Sequence, residues 1–273
     1  MNKVFNGMLI LFLMLSSVFC VQANEIVIKG STTVLPIAQA AAEKYMQIHP
    51  EVKISVSGGG SGNGIKALID QSTDIADSSR FLKDSEIRMA MEKNILPVPH
   101  RIALDSVVPV VHPENILTDI TIDQLKGIYT GQIKNWKEIG GKDMVITVVS
   151  RDTSSGTYEI WESKVLNKER VTPKAQTLAS NGAVAQAVAS NPYAIGYVGI
   201  GYINKDLKAL TVNGIEATIA SAISGVFPVS RPLFMFTSGW PEGETAAFLT
   251  YVVSPEGQKV VQAEGYVPLY ILK

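Results

Sequence analysis

The 273-residue chain has one cysteine, Cys20, and three histidines. A single thiol cannot build a disulfide framework, and scattered histidines do not form a clustered thiolate metal site. A basic excess is also missing. Lys and Arg total 24 against 25 Asp and Glu, a formal net charge of -1, which lacks the electrostatic footprint of a nucleic-acid binder. Beyond the first two dozen residues no run is long and charge-free enough for a membrane helix. With 46% hydrophobic and 18% charged residues, the chain has the composition of a folded protein. Its length fits one large or two small domains.

Residues 1–23 read as a secretory signal peptide. Lys3 gives the positive n-region, Met8 to Val18 an apolar run too short to span a bilayer, and Val21-Gln22-Ala23 the cleavage signal. A lipid anchor on Cys20 is disfavoured, because Phe19 is bulky where a small residue is expected. The expected product, 24–273, contains no cysteine and would be an exported, soluble, periplasmic protein.

Along this chain short apolar runs alternate with helical patterns. Strands are expected at Glu25–Lys29, Val52–Ser57 and Asp74–Asp77. Helices are expected over Pro36–His49, from Gly64 onward, and over Asp84–Lys93 with Asp84 as N-cap. Ile37, Ala41, Tyr45 and Ile48 fall on one face of the first helix. Ile102–His112 reads as a buried extended stretch, and Thr121-Ile122-Asp123-Gln124 as a capping box opening a helix through Tyr129. A second βα pattern follows, with a strand over Met144–Ser150 and a helix over Thr157–Leu166. Further strands are expected at Ala175–Leu178, Ala194–Val198, Leu207–Val212 and Leu233–Thr237, with helices over Glu244–Val253 and from Ser254-Pro255 through Ala263. The βαβα order predicts an α/β protein of two lobes, each a mainly parallel sheet flanked by helices. A ligand is then expected at the carboxyl ends of the strands, in the cleft between lobes.

Four Ser/Thr/Gly clusters sit where strands run toward helices: Gly30-Ser31-Thr32-Thr33, Gly58 to Gly64, Ser78-Ser79-Arg80, and Arg151 to Thr157. Such junctions expose unpaired N–H groups at the positive end of a helix. Small hydroxyl residues add donors, and glycines let a ligand approach the backbone. The expected ligand is a small oxyanion. Each cluster alone also fits an ordinary N-cap; their recurrence on one side of two sheets favours a ligand.

Arg151, at a strand end before a Ser/Gly helix opening, offers a planar fork matched to two oxygens of a tetrahedral anion. The competing reading is a rim ion pair with Asp152. Arg80 reads at least as well as a structural ion pair. Trp136, Trp161 and Trp240 read as core or hinge packing, and His49, His100 and His112 as surface residues or caps. Catalysis has little support. There is no phosphate-cradling G-x-x-x-x-G-K-[ST] motif, Asn63 stands where a nucleophile elbow at Ser61 needs glycine, and no H-E-x-x-H occurs.

The segments Gly30 to Pro36, Gly58 to Gly64 and Arg151 to Thr157 resemble the phosphate-binding proteins of bacterial ABC phosphate importers. Ile128 to Trp136, Ile195 to Val198 and Ser254 to Gln258 are also typical of that family. The resemblance implies the type II periplasmic binding fold, with crossovers near Ile102–Pro109 and Ser230–Phe236. It divides the chain into 24–104 with 235–273 as lobe 1 and 105–234 as lobe 2. It also implies a monomer that binds inorganic phosphate, uses no cofactor and serves a membrane permease. By residue, it assigns phosphate ligation to Thr32, Thr33, Ser61, Ser79, Arg151, Ser155, Gly156 and Thr157. At Ser79 the better-known members have an aspartate that accepts the phosphate proton. Asp77, Asp105, Asp152, a serine oxygen or a backbone carbonyl must take that role here, and Arg80 is a further candidate contact. Another tetrahedral oxyanion (sulfate or molybdate) and a secreted serine hydrolase are the alternatives.

Overall fold

A computed structural model describes residues 24–270. The signal-peptide assignment, with Cys20, lies outside the described residues. Strand β1 (Asn24–Gly30) leads into α1 (Leu35–Ile48), β2 (Val52–Gly58) into α2 (Ser61–Ile69), and β3 (Ile75–Ser78) into α3 (Asp84–Glu92). The 15-residue β4 (Pro97–Val111) follows. After it come β5 (Asp119–Ile120), α4 (Ile122–Thr130), β6 (Thr147–Arg151), α5 (Gly156–Lys164), β7 (Gln176–Leu178), α6 (Asn181–Ala189) and β8 (Ala194–Gly199). The chain ends with β9 (Lys208–Ala209), β10 (Thr211–Val212), α7 (Ile219–Ile223), β11 (Ser230–Ser238), α8 (Gly243–Val253) and α9 (Pro255–Ala263).

The principal strands form one hydrogen-bonded path, β2-β1-β3-β11-β4-β8-β6-β7, while β9 pairs with β4 and β10 with β5. At one end β1 is parallel to β2 and β3; at the other β6 is parallel to β7 and β8. Between them β4 runs antiparallel to β11 as far as Ser106 and to β8 from Val107 onward. One continuous strand therefore belongs to both halves. The half of β4 beyond Ser106 is buried on both faces, which is why it reads as an unbroken apolar run (Val107, Val108, Val110, Val111).

Each half buries its own core. In the first, Ile28, Ile37, Tyr45, Leu233, Phe248 and Val261 pack on one face of the sheet, and Ile65, Leu68, Ala76 and Phe236 on the other. In the second, Val108, Tyr129, Trp161, Tyr197 and Phe227 cluster on one side and Val110, Val184 and Val198 on the other. Trp161 stacks on Tyr197 at 4.3 Å between ring centroids, with Tyr129 edge-on at 5.2 Å from Trp161. This is the aromatic centre of the second half.

Several local expectations are corrected. Helix α2 begins at Ser61, three positions before Gly64. Gly60, at φ 100, makes the turn into it. The glycine at 64 lies inside the helix because a Cβ there would stand 2.6 Å from the Gly30 Cα and the Lys29 carbonyl oxygen; it lets α2 lie against β1. Asp84 is the first helical residue of α3, and the cap is Lys83, whose N–H donates to Glu86 Oε2 at 2.8 Å. Ile48 is 63% exposed and Trp240 77% exposed, so neither belongs to the core. The Ala/Val-rich α6, unassigned from sequence, turns Val184 and Val188 inward.

Candidate functional site

The four clusters lie at the carboxyl ends of β1, β2, β3 and β6, as the strand order requires. Parallel pairing brings Gly30 beside both Gly58 and Asp77, so the first three clusters adjoin. The fourth meets them from the other half. Gly62 donates its N–H to the Ser154 carbonyl at 2.9 Å. Thr33 Oγ1 lies 3.0 Å from Thr157 Oγ1, although 124 positions separate them. Within the first half, Ser61 Oγ accepts from the Ser79 N–H at 3.1 Å and lies 3.3 Å from Ser79 Oγ. Gly156 faces this serine pair so closely that a Cβ there would fall 2.5 Å from Ser61 Oγ and 2.7 Å from Ser79 Oγ.

Thr32, Thr33, Ser61, Ser79, Ser155, Gly156 and Thr157 are all buried. Ser155 is also the N-cap of α5, its hydroxyl accepting from the Thr157 and Tyr158 N–H groups at 3.2 Å each. That occupies the oxygen and leaves its hydrogen free to donate. Thr32 is held from the opposite half: its hydroxyl oxygen accepts from Asn181 Nδ2 at 3.2 Å and its carbonyl from the Tyr202 hydroxyl at 2.5 Å.

Arg151 is not a rim residue; it is 2% exposed. Nε and Nη2 donate to the Leu178 and Ala179 carbonyls at 3.0 and 2.9 Å, Asp152 Oδ2 stands 3.7 Å from Nη2, and buried Nη1 has no partner. Burial lowers its pKa, as does the nearby Arg231, against the pull of Asp152. Arg80 is an ion-pair residue. It grips Glu86 with Nη1 and Nη2 at 2.8 and 2.7 Å, and its Nε lies 2.7 Å from Glu159 Oε2 on α5. Burial works against this guanidinium, but the two glutamates raise its pKa above the ordinary value.

Three contributors escaped the sequence reading: Arg231, Asn181 and the role of Asp105. Arg231 on β11 donates Nε to Asp105 Oδ2 at 2.8 Å and Nη2 to the hydroxyls of Thr33 and Thr157 at 3.2 and 3.0 Å. Asn181, at the start of α6, donates Nδ2 to Thr33 Oγ1 at 3.0 Å as well as to Thr32. Of the carboxylates left open, Asp105 is thus taken by Arg231 and by the Ile200 N–H at 2.9 Å. Burial pushes its pKa up, while Arg231 opposes the shift. Asp152 turns to the Ser154 N–H at 2.9 Å. Asp77 is fully enclosed with neither oxygen hydrogen-bonded, and burial alone pushes its pKa well above the ordinary carboxylate range.

The assembled groups are chiefly hydrogen-bond donors, buried together where the two halves meet, with guanidinium charge close by. That suits an oxyanion. The hydrogen-bond partner of Ser61 is another serine, not a base. Each histidine is engaged elsewhere: His49 faces Glu51, His100 meets Thr237 and His112 accepts from the Glu114 N–H. Among the described residues no group of three or more His, Cys, Asp or Glu could hold a metal.

A family model described as the PBP superfamily domain matches residues 21–256. The phosphate-binding protein PstS of Bacillus subtilis is 34% identical over 253 residues, covering 92% of this chain and 83% of its own length. PstS of Staphylococcus aureus strain USA300 is 36% identical over 252 residues, 87% and 76% of the two chains. Among solved structures, a Clostridium perfringens protein described as a phosphate ABC transporter substrate-binding protein, with phosphate bound, superposes at TM-score 0.85 and 33% identity. The match covers 90% of this chain and all (100%) of that one. A Vibrio cholerae ABC-type phosphate transport receptor superposes at TM-score 0.73 and 35% identity, covering 89% and 99%. The fold is the two-lobed type II periplasmic binding fold, and the chain belongs to the phosphate-binding proteins of the PBP superfamily.

Proposed function

We propose that this protein captures inorganic phosphate outside the cytoplasm and delivers it to the membrane permease of an ABC importer. The observation that carries the reading is the meeting of Thr33 and Thr157, 3.0 Å apart, which brings donors from two separately cored halves together. In the open form the anion docks on the helix-opening N–H groups of one half. Closure then adds the donors of the other. A charge-assisted hydrogen bond contributes roughly 1.5–3 kcal/mol net, and micromolar affinity needs about 8 kcal/mol. Several such bonds therefore cover the requirement after closure and desolvation costs.

The ligand set we assign is Thr32, Thr33, Ser61, Ser79, Arg151, Ser155, Gly156 and Thr157. Arg80 is left out because its guanidinium is already committed to Glu86 and Glu159. For the lobes we propose 24–104 with 235–273 and 105–234. The change of partner along β4 after Ser106 supports the first boundary. The packing of Leu233 with Ile28 moves the second toward Ser230. In this reading the protein is an exported monomer that performs no chemistry on its ligand, and no helix among the described residues is long and apolar enough to cross a membrane.

A second reading, another tetrahedral oxyanion such as sulfate or molybdate, is kept by one observation: Ser79, not a carboxylate, stands beside Ser61. Protonated phosphate carries a hydrogen that needs an acceptor, and sulfate has none to offer. Calorimetric titration of the exported chain with phosphate, arsenate, sulfate and molybdate decides between them. Saturable one-to-one binding of phosphate and arsenate without response to sulfate is expected; tight sulfate binding with none to phosphate overturns the proposal.

A further inference from the structure

We infer that Arg231, anchored by Asp105, together with Asn181, sets the direction of the hydroxyl hydrogens at Thr33 and Thr157, so that the site offers only a donor to the ligand oxygen there. The inference rests on the phosphate reading and deepens it. Its basis is a proton count. A hydroxyl has two acceptor lone pairs and one hydrogen. Thr33 Oγ1 accepts from Arg231 Nη2 at 3.2 Å and from Asn181 Nδ2 at 3.0 Å. Neither nitrogen carries a lone pair it could offer in return, so both acceptor positions of Thr33 are filled. Its single hydrogen is left for Thr157 Oγ1 at 3.0 Å. Thr157 Oγ1 also accepts from Arg231 Nη2 at 3.0 Å. With two donors upon it, its own hydrogen must point away from both.

The ends of this chain are fixed. Asp105 Oδ2 holds Arg231 Nε at 2.8 Å, and its Oδ1 accepts from the Ile200 N–H. The Asn181 amide is oriented because its oxygen accepts from the Gly199 N–H at 3.3 Å while its nitrogen serves Thr32 and Thr33. Arg231 is 3% exposed and Asp105 and Asn181 fully buried, so water does not scramble the order. A ligand oxygen meeting Thr157 therefore finds a donor and no acceptor there. The hydrogen of a P–OH has to find its acceptor elsewhere, and the Ser61–Ser79 pair, on which the Ser79 N–H is the one fixed outside donor, is the place where a hydroxyl oxygen can still accept. Arg231 and Asn181 are positioning residues acting through two threonines.

The test is a double-mutant cycle read by phosphate calorimetry. The double variant Arg231→Met, Asp105→Asn removes the guanidinium without stranding a buried carboxylate. It is expected to weaken phosphate binding by about tenfold to a hundredfold, the range for one charge-assisted hydrogen bond. In a Thr157→Val background the same pair of changes is expected to cost less than about threefold, because the hydroxyl it acts through has gone. Asn181→Ala, which disturbs no charge but also releases Thr32, is read in a Thr32→Val background, where it should show the same non-additivity with Thr157→Val and serves if the first variant does not fold. Additive losses, or wild-type affinity in the well-folded variants, overturn the inference. A wild-type chain that binds no phosphate overturns the phosphate reading and this inference with it, whereas a binding wild type with additive variants overturns the role of Arg231 alone.

Discussion

Arg80 Nε, just past β3, lies 2.7 Å from Glu159 Oε2 on α5, and Lys83 Nζ lies 3.0 Å from the other oxygen of the same carboxylate. The two cations belong to one half of the molecule and Glu159 to the other. Glu159 is one turn beyond Ser155, Gly156 and Thr157, so this ion pair ties the helix that carries the second half's donors to the first half. Burial pushes the Glu159 carboxyl up from its ordinary value, while Arg80 and Lys83 pull it down.

Glu159→Gln should therefore act on the closed state and leave the encounter unaffected. Phosphate dissociation is expected to quicken by about tenfold with the association rate unchanged, as for truncating a partly desolvated charge pair. Arg80 keeps its two-pronged grip on Glu86, so the fold survives. Stopped-flow traces in which association slows and dissociation does not change contradict the latch.

Arg151→Ala is expected to weaken phosphate binding by about 2–5 kcal/mol, the cost of truncating one member of a buried charge pair. Calorimetry on a chain shown by melting to be folded checks it. The melt matters because Arg151 also holds the Leu178 and Ala179 carbonyls. Near-wild-type affinity removes Arg151 from the site.

Gly156→Ala separates closure from folding. Gly156 is the first residue of α5 and has no positive φ, so alanine suits the isolated half. In the closed arrangement its Cβ would collide with Ser61 Oγ at 2.5 Å and Ser79 Oγ at 2.7 Å. An affinity loss of about 1–3 kcal/mol is expected from the overpacking, with the ligand-free melting temperature unchanged. Unaltered phosphate affinity means that the two halves do not close on this contact.

Asp77→Asn tests the buried acid. Its pKa is raised in the folded chain by burial, so between its unfolded and folded values the native state holds a proton the unfolded state has lost. Stability is then fullest below about pH 4 and falls as pH rises, by up to about 1.4 kcal/mol per pH unit, until the folded pKa is passed. The asparagine variant has no such proton to lose. Its denaturant midpoint should match the wild type in acid and exceed it increasingly toward neutral pH. Parallel curves across that range mean Asp77 is not held protonated.

The strands and helices that frame the site were legible because their signals are local. Thr121 and Gln124 spell a capping box, and Ser254-Pro255 a helix start. The hydroxyl clusters stood out because short Ser/Thr/Gly runs interrupt apolar ones. Arg231 was hidden for the converse reason. It opens the strand Ser230–Ser238, where a lone arginine looks like a solvent-facing edge, and its partner Asp105 is 126 positions earlier. Asn181 follows Ser180, which caps α6 through the Ala183 N–H, so an ordinary helix start concealed a cross-molecule contact. Glu159, in the first turn of α5, matched the usual acidic preference there. Long-range pairing carries no local periodicity, and all three residues depend on it.

The two strands that join the halves, β4 and β11, are bonded to each other from Pro97 to Ser106, with one register slip at Leu233/Phe234. The connection is thus a laced ribbon where slack linkers would leave the halves free to swing, and the chain passes into the second half only at the end of the lacing, where Ser106 faces Ser230. With the Ser106 and Ser230 hydroxyls 3.2 Å apart at that point, the two chains must bend together there, and a side chain at either position bears on how readily the jaws part without meeting what they hold.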